Sequence, residues 1–362
     1  MPVSEQPPPA EPQSATGRVA PASRRGDRGE PPPSRCRRRP RLPRFTAPPP
    51  GARVAIVGVL VVVAAVCYLL LFIRGSFQFA FDRRLTTLGT MVVVAFAHAI
   101  ATVVFQTVTS NRILTPSIMG FDSLYVMMQT AMVFVFGGSA LARTDGLPKL
   151  VVQTVLMVLF AVLLYRWLFA GRFANLHLLL LVGVVLGLAF ESLSSFLQRL
   201  LSPTDYDMLS VRLFGRMSNS DGSYLPLAFA VCLVVGAVVW HRRHRLDTLL
   251  LGRDTSVGLG VDHKRELTVL LVLVAVLVAF ATALAGPMTF FGFLVATLAY
   301  QLTGTHEHRH VLPMAFLLGL FTLVAGQFLM QHVFYAAGFL TVIIEFVGGI
   351  VFLVLLLRKG TL

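Results

Sequence analysis

The sequence predicts an all-α polytopic membrane protein, and three observations lead to this fold class. Of the 362 residues, 56% are hydrophobic and only 13% are charged, about half the charged share of roughly 25% that soluble domains carry. The mean hydropathy is +0.75. The apolar residues form long uncharged runs, which must be helices because backbone in lipid satisfies its own hydrogen bonds. This composition excludes an ordinary cytosolic enzyme and a disordered protein.

The first 53 residues differ from the rest of the chain. They hold eleven of the 31 Lys and Arg residues and three proline triplets. Proline at this density cannot build a helix, so we expect a disordered, basic, Pro/Arg-rich cytoplasmic tail before a membrane domain at 54–362. Two interpretations remain open: the tail lies against anionic lipid headgroups, or it is upstream sequence translated from a misassigned start. Because half of the net charge of +14 comes from this segment, it does not indicate nucleic-acid binding.

The remaining sequence predicts ten transmembrane helices. A bilayer core of about 30 Å needs about 20 apolar residues per helix. Gly286-Pro287 is a turn signal that divides one long run into two spans. The predicted spans are 54–73, 85–109, 117–142, 150–169, 175–197, 224–240, two within 267–305, 311–331 and 333–357. With the tail inside, the inner segments carry twelve further Lys and Arg and the outer ones eight, which favours a cytoplasmic position for both termini.

Motifs for enzymatic chemistry are missing from the sequence. There is no G-x-x-x-x-G-K-[ST] loop for ATP, no H-E-x-x-H and no C-x-x-C, so we expect no catalytic residues, no metal site and no cofactor in this chain. Polar groups inside apolar spans are then the candidates for function. The pathway candidates are Glu191, Gln327 and Glu345. A buried structural role for Glu345 stays open, and so does a proton-coupled secondary transporter that uses Glu345 or Glu191.

The longest polar interruption, His241–Glu266, contains two apolar pieces that are too short to span a bilayer. They end near Gly252 and near Gly258–Val261, which predicts two short helices joined by glycine turns. Such an element on the cytoplasmic face could dock another protein, or could be an ordinary surface helix–turn–helix.

Three segments, in the same order, resemble the FecCD-type permease subunits of iron-siderophore and cobalamin ABC importers. The segments are Asn111–Pro116 with Ile118, Gly120 and Ser123; Leu246–Gly252 with Ser256 and Leu259–Val261; and Ala285–Val295 with His308-Arg309 and Leu312-Pro313. The sequence departs from the family pattern at Arg112, which replaces a proline, and at Ala296-Thr297, which replaces Pro-His. Val295–Gln301 and Gly326-Gln327 resemble the catecholate-siderophore branch of the family.

The resemblance implies two five-helix halves of inverted topology in a bacterial cytoplasmic membrane protein that imports ferric siderophore. It implies three kinds of partner besides membrane lipid: an ATPase dimer that carries ATP and Mg, an extracytoplasmic siderophore-binding lipoprotein, and a second permease subunit, either a copy or a paralogue. The implied ATPase-coupling loop is Leu251, Gly252, Asp254, Ser256, Leu259, Gly260 and Val261. The implied lipoprotein-docking residues are Arg83, Arg84, Arg212 and Arg216, for which anchoring of a helix end by snorkelling is the alternative. A short external helix is implied within 202–222.

Overall fold

The computed structural model describes residues 48–73, 76–138, 146–170, 176–213, 222–334 and 340–359. The predicted tail up to residue 47 and the docking candidate Arg216 lie outside these residues. The chain from Pro48 onward forms one compact unit. Its described part contains thirteen α-helices and no strand, so the all-α prediction is confirmed.

The helices are named α1 to α13 in chain order. Their bounds are Pro50–Leu70 (α1), Phe77–Val108 (α2), Phe121–Phe136 (α3), Leu147–Ala170 (α4), Leu176–Leu200 (α5), Pro203–Leu213 (α6), Leu225–His241 (α7), Arg243–Leu249 (α8), Arg253–Gly258 (α9), His263–Ala285 (α10), Phe291–Thr303 (α11), His308–His332 (α12) and Leu340–Lys359 (α13). Short 3-10 turns at Pro116–Met119 and Gly222–Tyr224 precede α3 and α7.

Six helices are long and apolar enough to cross a membrane: α1, α2, α5, α7, α10 and α12. Four shorter apolar helices, α3, α4, α11 and α13, coincide with the other four predicted spans. The three remaining helices, α6, α8 and α9, are short and lie in polar segments, as expected for elements outside a bilayer. The protein is therefore a multi-pass membrane protein.

Several predicted boundaries are wrong by a few residues. Helix α1 already begins at Pro50, inside the segment assigned to the tail, because proline fits the first turn of a helix. Helix α2 begins at Phe77 rather than Leu85, so the helix includes Arg83 and Arg84. The predicted break at Gly286-Pro287 is confirmed, since α10 ends at Ala285 and Gly286 has a φ of 79°.

The core is built around α2, which packs against α10, α12, α11 and α7. Four alanines at alternate positions, Ala95, Ala97, Ala99 and Ala101, are fully buried, and such small side chains let neighbouring backbones approach closely. A second close approach joins the start of α3 to α5. Gly120 has a φ of 86°, and a Cβ at this residue would lie 2.9 Å from the Gly187 Cα.

Candidate functional site

The polar interruption forms two short helices, α8 and α9, as predicted. We call residues 243–261 the α8–α9 hairpin. Gly252 and Gly260 have φ values of 92° and 83°, in the left-handed region that glycine adopts without the steric cost paid by other residues. No atom outside the local chain lies within 4 Å of a Cβ built on either glycine, so backbone conformation, and not crowding, requires glycine at both turns.

The hairpin has a buried inner face and an exposed apolar tip. Leu246 and Leu249 of α8 are buried in the core. By contrast, Leu251, Val257 and Leu259 are 60%, 54% and 63% exposed. Apolar side chains clustered on a polar surface element are typical of a protein interaction site.

The seven residues predicted for the coupling loop divide into two groups. Six of them, all except Ser256, lie at least partly at the surface of the hairpin. Ser256 is fully buried; its hydroxyl donates to the Arg253 carbonyl oxygen at 2.8 Å and lies 3.1 Å from Nδ1 of His263. Ser256 therefore braces α9 against the start of α10.

A chain of three polar side chains joins α8 to two long helices. The Asp247 carboxylate lies 2.6 Å from Nδ1 of His308 and accepts the His308 backbone N–H at 2.9 Å. On the other side of the ring, Nε2 of His308 lies 2.8 Å from the Thr107 hydroxyl. His308 is fully buried in the first turn of α12, and Thr107 is buried in the last turn of α2. We call these residues the Asp247–His308–Thr107 relay.

The charge of Asp247 is suited to this position. Burial opposes its ionisation, but the hydrogen bonds from the His308 ring and backbone outweigh that effect and hold the pKa of Asp247 below its ordinary value. A carboxylate beside the first turn of α12 also interacts favourably with the positive end of the helix dipole.

A buried carboxylate forms the second connection between the hairpin and the membrane helices. Glu266, in the first turn of α10, has only 4% of its side chain exposed. It accepts hydrogen bonds from Arg242 at 2.8 and 2.9 Å and from Arg245 at 3.0 Å. Arg242 lies between α7 and α8, and Arg245 lies in α8. The three residues hold the start of α8 against α10.

These contacts fix the hairpin to three long helices, α2, α10 and α12, through buried polar groups. Separating a buried polar group from its partner costs about 1–3 kcal/mol. A force applied to the apolar tip would therefore move the ends of these helices rather than detach the hairpin. The sequence predicted the hairpin itself, but not Asp247, Glu266, His308 or Thr107 as its connections.

The other end of α2 carries the arginines predicted to dock a partner. Arg84 is 8% exposed, and its guanidinium donates to the carbonyl oxygens of Tyr68, Leu71 and Phe72 at 2.8, 2.7 and 3.2 Å. It joins the end of α1 to α2, which gives Arg84 a structural role. Arg83 is exposed, and docking through it stays a prediction. Arg212 lies in the last turn of α6.

A short helix, α6, is present within 202–222 as predicted, and it is tied to the end of α3; its external position stays a prediction. The Asp205 carboxylate accepts the Ser202 hydroxyl at 2.7 Å and the Gly138 N–H at 2.8 Å. These two hydrogen bonds lower the pKa of Asp205.

The three pathway candidates are not brought together. Glu345 lines a cavity of about 350 Å³ together with Gln198, Tyr206 and Thr341. Its carboxylate accepts the Phe290 N–H at 3.2 Å, which places it against the start of α11. Glu191 is exposed on α5 and Gln327 is buried in α12, and neither lines this cavity. Within the described residues, His, Cys, Asp and Glu form no cluster of three that could hold a metal ion.

Comparison with known proteins identifies relatives of the whole membrane domain. The FecCD transport family matches residues 53–358. The chain is 43% identical over 287 residues to the petrobactin import system permease protein FatC of Bacillus anthracis. This alignment covers 79% of this chain and 81% of the relative. It is 38% identical over 306 residues to the petrobactin import system permease protein YclO of Bacillus subtilis, covering 84% and 97%.

A solved structure has the same fold. It is described as a metal-chelate type ABC transporter in an inward-facing conformation, and it matches with a TM-score of 0.72 at 22% sequence identity. The match covers 85% of this chain and 99% of the other.

Proposed function

The chain belongs to the FecCD transport family, and from that premise we propose that it is the permease subunit of an ABC importer for a ferric siderophore of the catecholate type. It is a transport permease and not an enzyme, as its relatives are named. The iron-chelate cargo is inferred from the relatives named for petrobactin import, and the catecholate class from the resemblance of Val295–Gln301 to that branch.

The observation that carries the proposal is the α8–α9 hairpin. A subunit driven by a separate ATPase needs a surface that the ATPase can grip and a stiff connection from that surface to the membrane helices. The apolar tip supplies the first, and the relay with the Arg242–Glu266–Arg245 cluster supplies the second. Work is transmitted if the ATPase, in its ATP-bound form, binds one conformation of the permease better than the other.

The rest of the proposed assembly follows from the family. Ten helices cross the bacterial cytoplasmic membrane in two five-helix halves of inverted topology, with both termini and the hairpin in the cytoplasm. A second permease, identical or paralogous, completes the pathway. The ATPase dimer carries ATP and Mg. An extracytoplasmic lipoprotein delivers the ferric siderophore to the opposite face, near Arg83 and α6.

Co-purification in mild detergent tests the docking surface. The wild-type chain should recover a P-loop ATPase, and Leu259→Asp should lose it, because a charge at the centre of the apolar tip cannot be buried without a partner. Lys264→Ala is the control, since it changes an exposed neighbour of the hairpin and leaves the tip intact. Equal recovery of the ATPase with Leu259→Asp would contradict the assignment of the tip.

Substitution of Glu345 separates this proposal from proton-coupled transport. In Glu345→Gln the amide oxygen can still accept the Phe290 N–H, so ATP-dependent uptake should stay within about twofold of wild type. A carrier that moves protons through this carboxylate would lose uptake completely. Uptake of radiolabelled ferric petrobactin by cells that carry only the variant permease distinguishes the two results.

A further inference from the structure

A buried carboxylate lies at the break between α10 and α11, and the proposed transport mechanism does not use it. Asp122, in the first turn of α3, is 7% exposed, and its Oδ2 accepts the Thr289 hydroxyl at 2.9 Å. The hydroxyls of Ser117 and Thr282 also face the carboxylate, because α10 packs against both α3 and the 3-10 turn before it. The 3-10 turn, α3, α10 and the break therefore converge on one side chain.

Two oxygen atoms at this point lack hydrogen-bond partners. Oδ1 of Asp122 and Oγ1 of Thr282 are both buried, and neither has a partner within the described part of the chain. A buried polar atom that is left unpaired destabilises the fold, so such atoms indicate a water molecule or an ion that completes the site. The unpaired oxygens thus point to a ligand at the contact between α3 and α10.

The charge of Asp122 distinguishes an ion from a water molecule. Among the described residues, the side chains that act directly on this carboxylate are hydroxyls and not cations, and Glu345 lies close enough to interact with it as a second carboxylate. The positive end of the α3 dipole favours the charge, but Thr282 brings the last turn of α10, with its negative end, to the same point. A water molecule would satisfy both oxygens and leave the buried charge uncompensated, whereas a cation would do both.

The remaining groups at the site are ligands for a hard cation. Carboxylate, hydroxyl and backbone carbonyl oxygens bind such ions, and the end of an interrupted membrane helix supplies carbonyls of this kind. The last carbonyls of α10 have no donor within the helix, and Pro287 lacks the N–H that would bond to the Ala283 carbonyl four residues earlier. A proton on Asp122 would engage one of these oxygens, whereas a metal ion engages several.

We propose that one Na⁺ ion binds at Asp122, between Thr282 and the break that separates α10 from α11. The carboxylate and the surrounding hydroxyls bind the ion, and the negative end of α10 stabilises its charge. The single carboxylate at the centre of the site matches one positive charge. The cavity of about 350 Å³ reaches the break at Pro287 and provides an approach from the α6 end. The ion fastens the break to α3, and this inference does not rest on the transported cargo.

Binding of ²²Na⁺ to the purified full chain in detergent tests the site. With choline chloride keeping the ionic strength constant, the wild type should bind ²²Na⁺ saturably, unlabelled Na⁺ should displace it at lower concentration than K⁺, and the thermal midpoint should rise with occupancy. Asp122→Asn keeps the size of the side chain and should weaken Na⁺ binding at least tenfold, a factor equivalent to about 1.4 kcal/mol. Asp82→Asn, which changes an exposed carboxylate of α2, is the control and should bind as the wild type does.

Thr282→Val decides the question if Asp122→Asn does not fold. It removes one unpaired oxygen and keeps the shape of the side chain. In choline chloride it should therefore be at least as stable as the wild type, while its Na⁺-dependent rise in thermal midpoint should be smaller. A wild type without saturable ²²Na⁺ binding, or binding that is unchanged in these variants, would overturn the proposal. Equal displacement by K⁺ would overturn the assignment to Na⁺. Stabilisation by acid without any response to Na⁺ would show a protonated Asp122 instead and would also overturn it.

Discussion

The two ends of α2 are built differently. At its last turn, Thr107 belongs to the relay that ties the α8–α9 hairpin to α12, and buried ion pairs hold the same hairpin to α10. At its first turns, about 35 Å away by helix rise, Arg84 joins the neighbouring end of α1 and lies 3.4 Å from Nε2 of His332 at the end of α12. The hairpin end joins α2, α8, α10 and α12 through buried carboxylates, whereas the α6 end relies on one arginine bound mainly to carbonyl oxygens and has an open cavity at Glu345. Under the proposed function, the first end is the one that receives force from the ATPase.

The largest effect is expected from breaking the buried ion cluster at the hairpin end. Arg242→Ala leaves the buried Glu266 with only Arg245, whose side chain is 58% exposed. Removing one partner from a buried ion pair lowers the free energy of unfolding by about 3–5 kcal/mol. Both arginines reach solvent, which screens the charge of Glu266, so we expect a smaller loss of about 2–3 kcal/mol. Thermal unfolding in detergent measures this. Arg243→Ala removes a cation–π contact with Trp240 and should lower the free energy of unfolding by less than about 1 kcal/mol. Equal losses of stability in the two variants would show that the ion cluster does not hold the hairpin.

At the α6 end, the neighbouring arginines Arg84 and Arg83 should separate stability from docking. Arg84→Ala deprives three carbonyl oxygens of their donor and should cost about 1–3 kcal/mol. Arg83→Ala should change stability by less than about 0.5 kcal/mol while weakening capture of the binding lipoprotein. Thermal unfolding and lipoprotein binding, measured on the same two proteins, test this. The reverse pattern would restore Arg84 as the docking residue.

The turn glycines of the hairpin give a smaller, local effect. Gly260→Ala places a Cβ on a backbone with φ of 83°, at a cost of about 1–2 kcal/mol. Gly258→Ala adds the same methyl group, also in open space, on a helical backbone without that strain. Reduced uptake in Gly260→Ala alone would show that the turn conformation matters; equal losses in both would point to the added bulk at the docking surface.

The smallest predicted effect is a pH dependence from Asp247. Its pKa is lowered in the folded protein, so its contribution to stability is present above the ordinary value of about 4 and is lost as the pH falls through the lowered value. The thermal midpoint should therefore drop more between pH 5 and pH 3 in the wild type than in Asp247→Asn. Identical drops would show that the Asp247 charge does not stabilise the fold.

The sequence was sufficient for the parts of the molecule that depend on local patterns. Apolar runs located the six helices that are long enough to span a membrane and four shorter apolar helices. Gly286-Pro287 located the break between α10 and α11, and glycine spacing located the hairpin. The relay could not be predicted, because Asp247 and His308 are separated by 61 residues and neither stands in a pattern that indicates the other. Arg84 was assigned to docking because nothing in the sequence distinguishes a buried arginine at a helix end from an exposed one beside it.

The most direct test of the account measures how much cargo moves for each ATP consumed. The permease is reconstituted in liposomes with the ATPase and binding lipoprotein of the proposed assembly. The ferric siderophore transported per ATP hydrolysed is compared for wild type, Asp247→Ala and Glu307→Ala, a surface control paired with Arg309. We expect that Asp247→Ala still binds the ATPase and supports ATP hydrolysis, but that the transport ratio falls at least tenfold, while Glu307→Ala matches wild type. An unchanged ratio in Asp247→Ala, or transport by the permease without any ATPase, would contradict it.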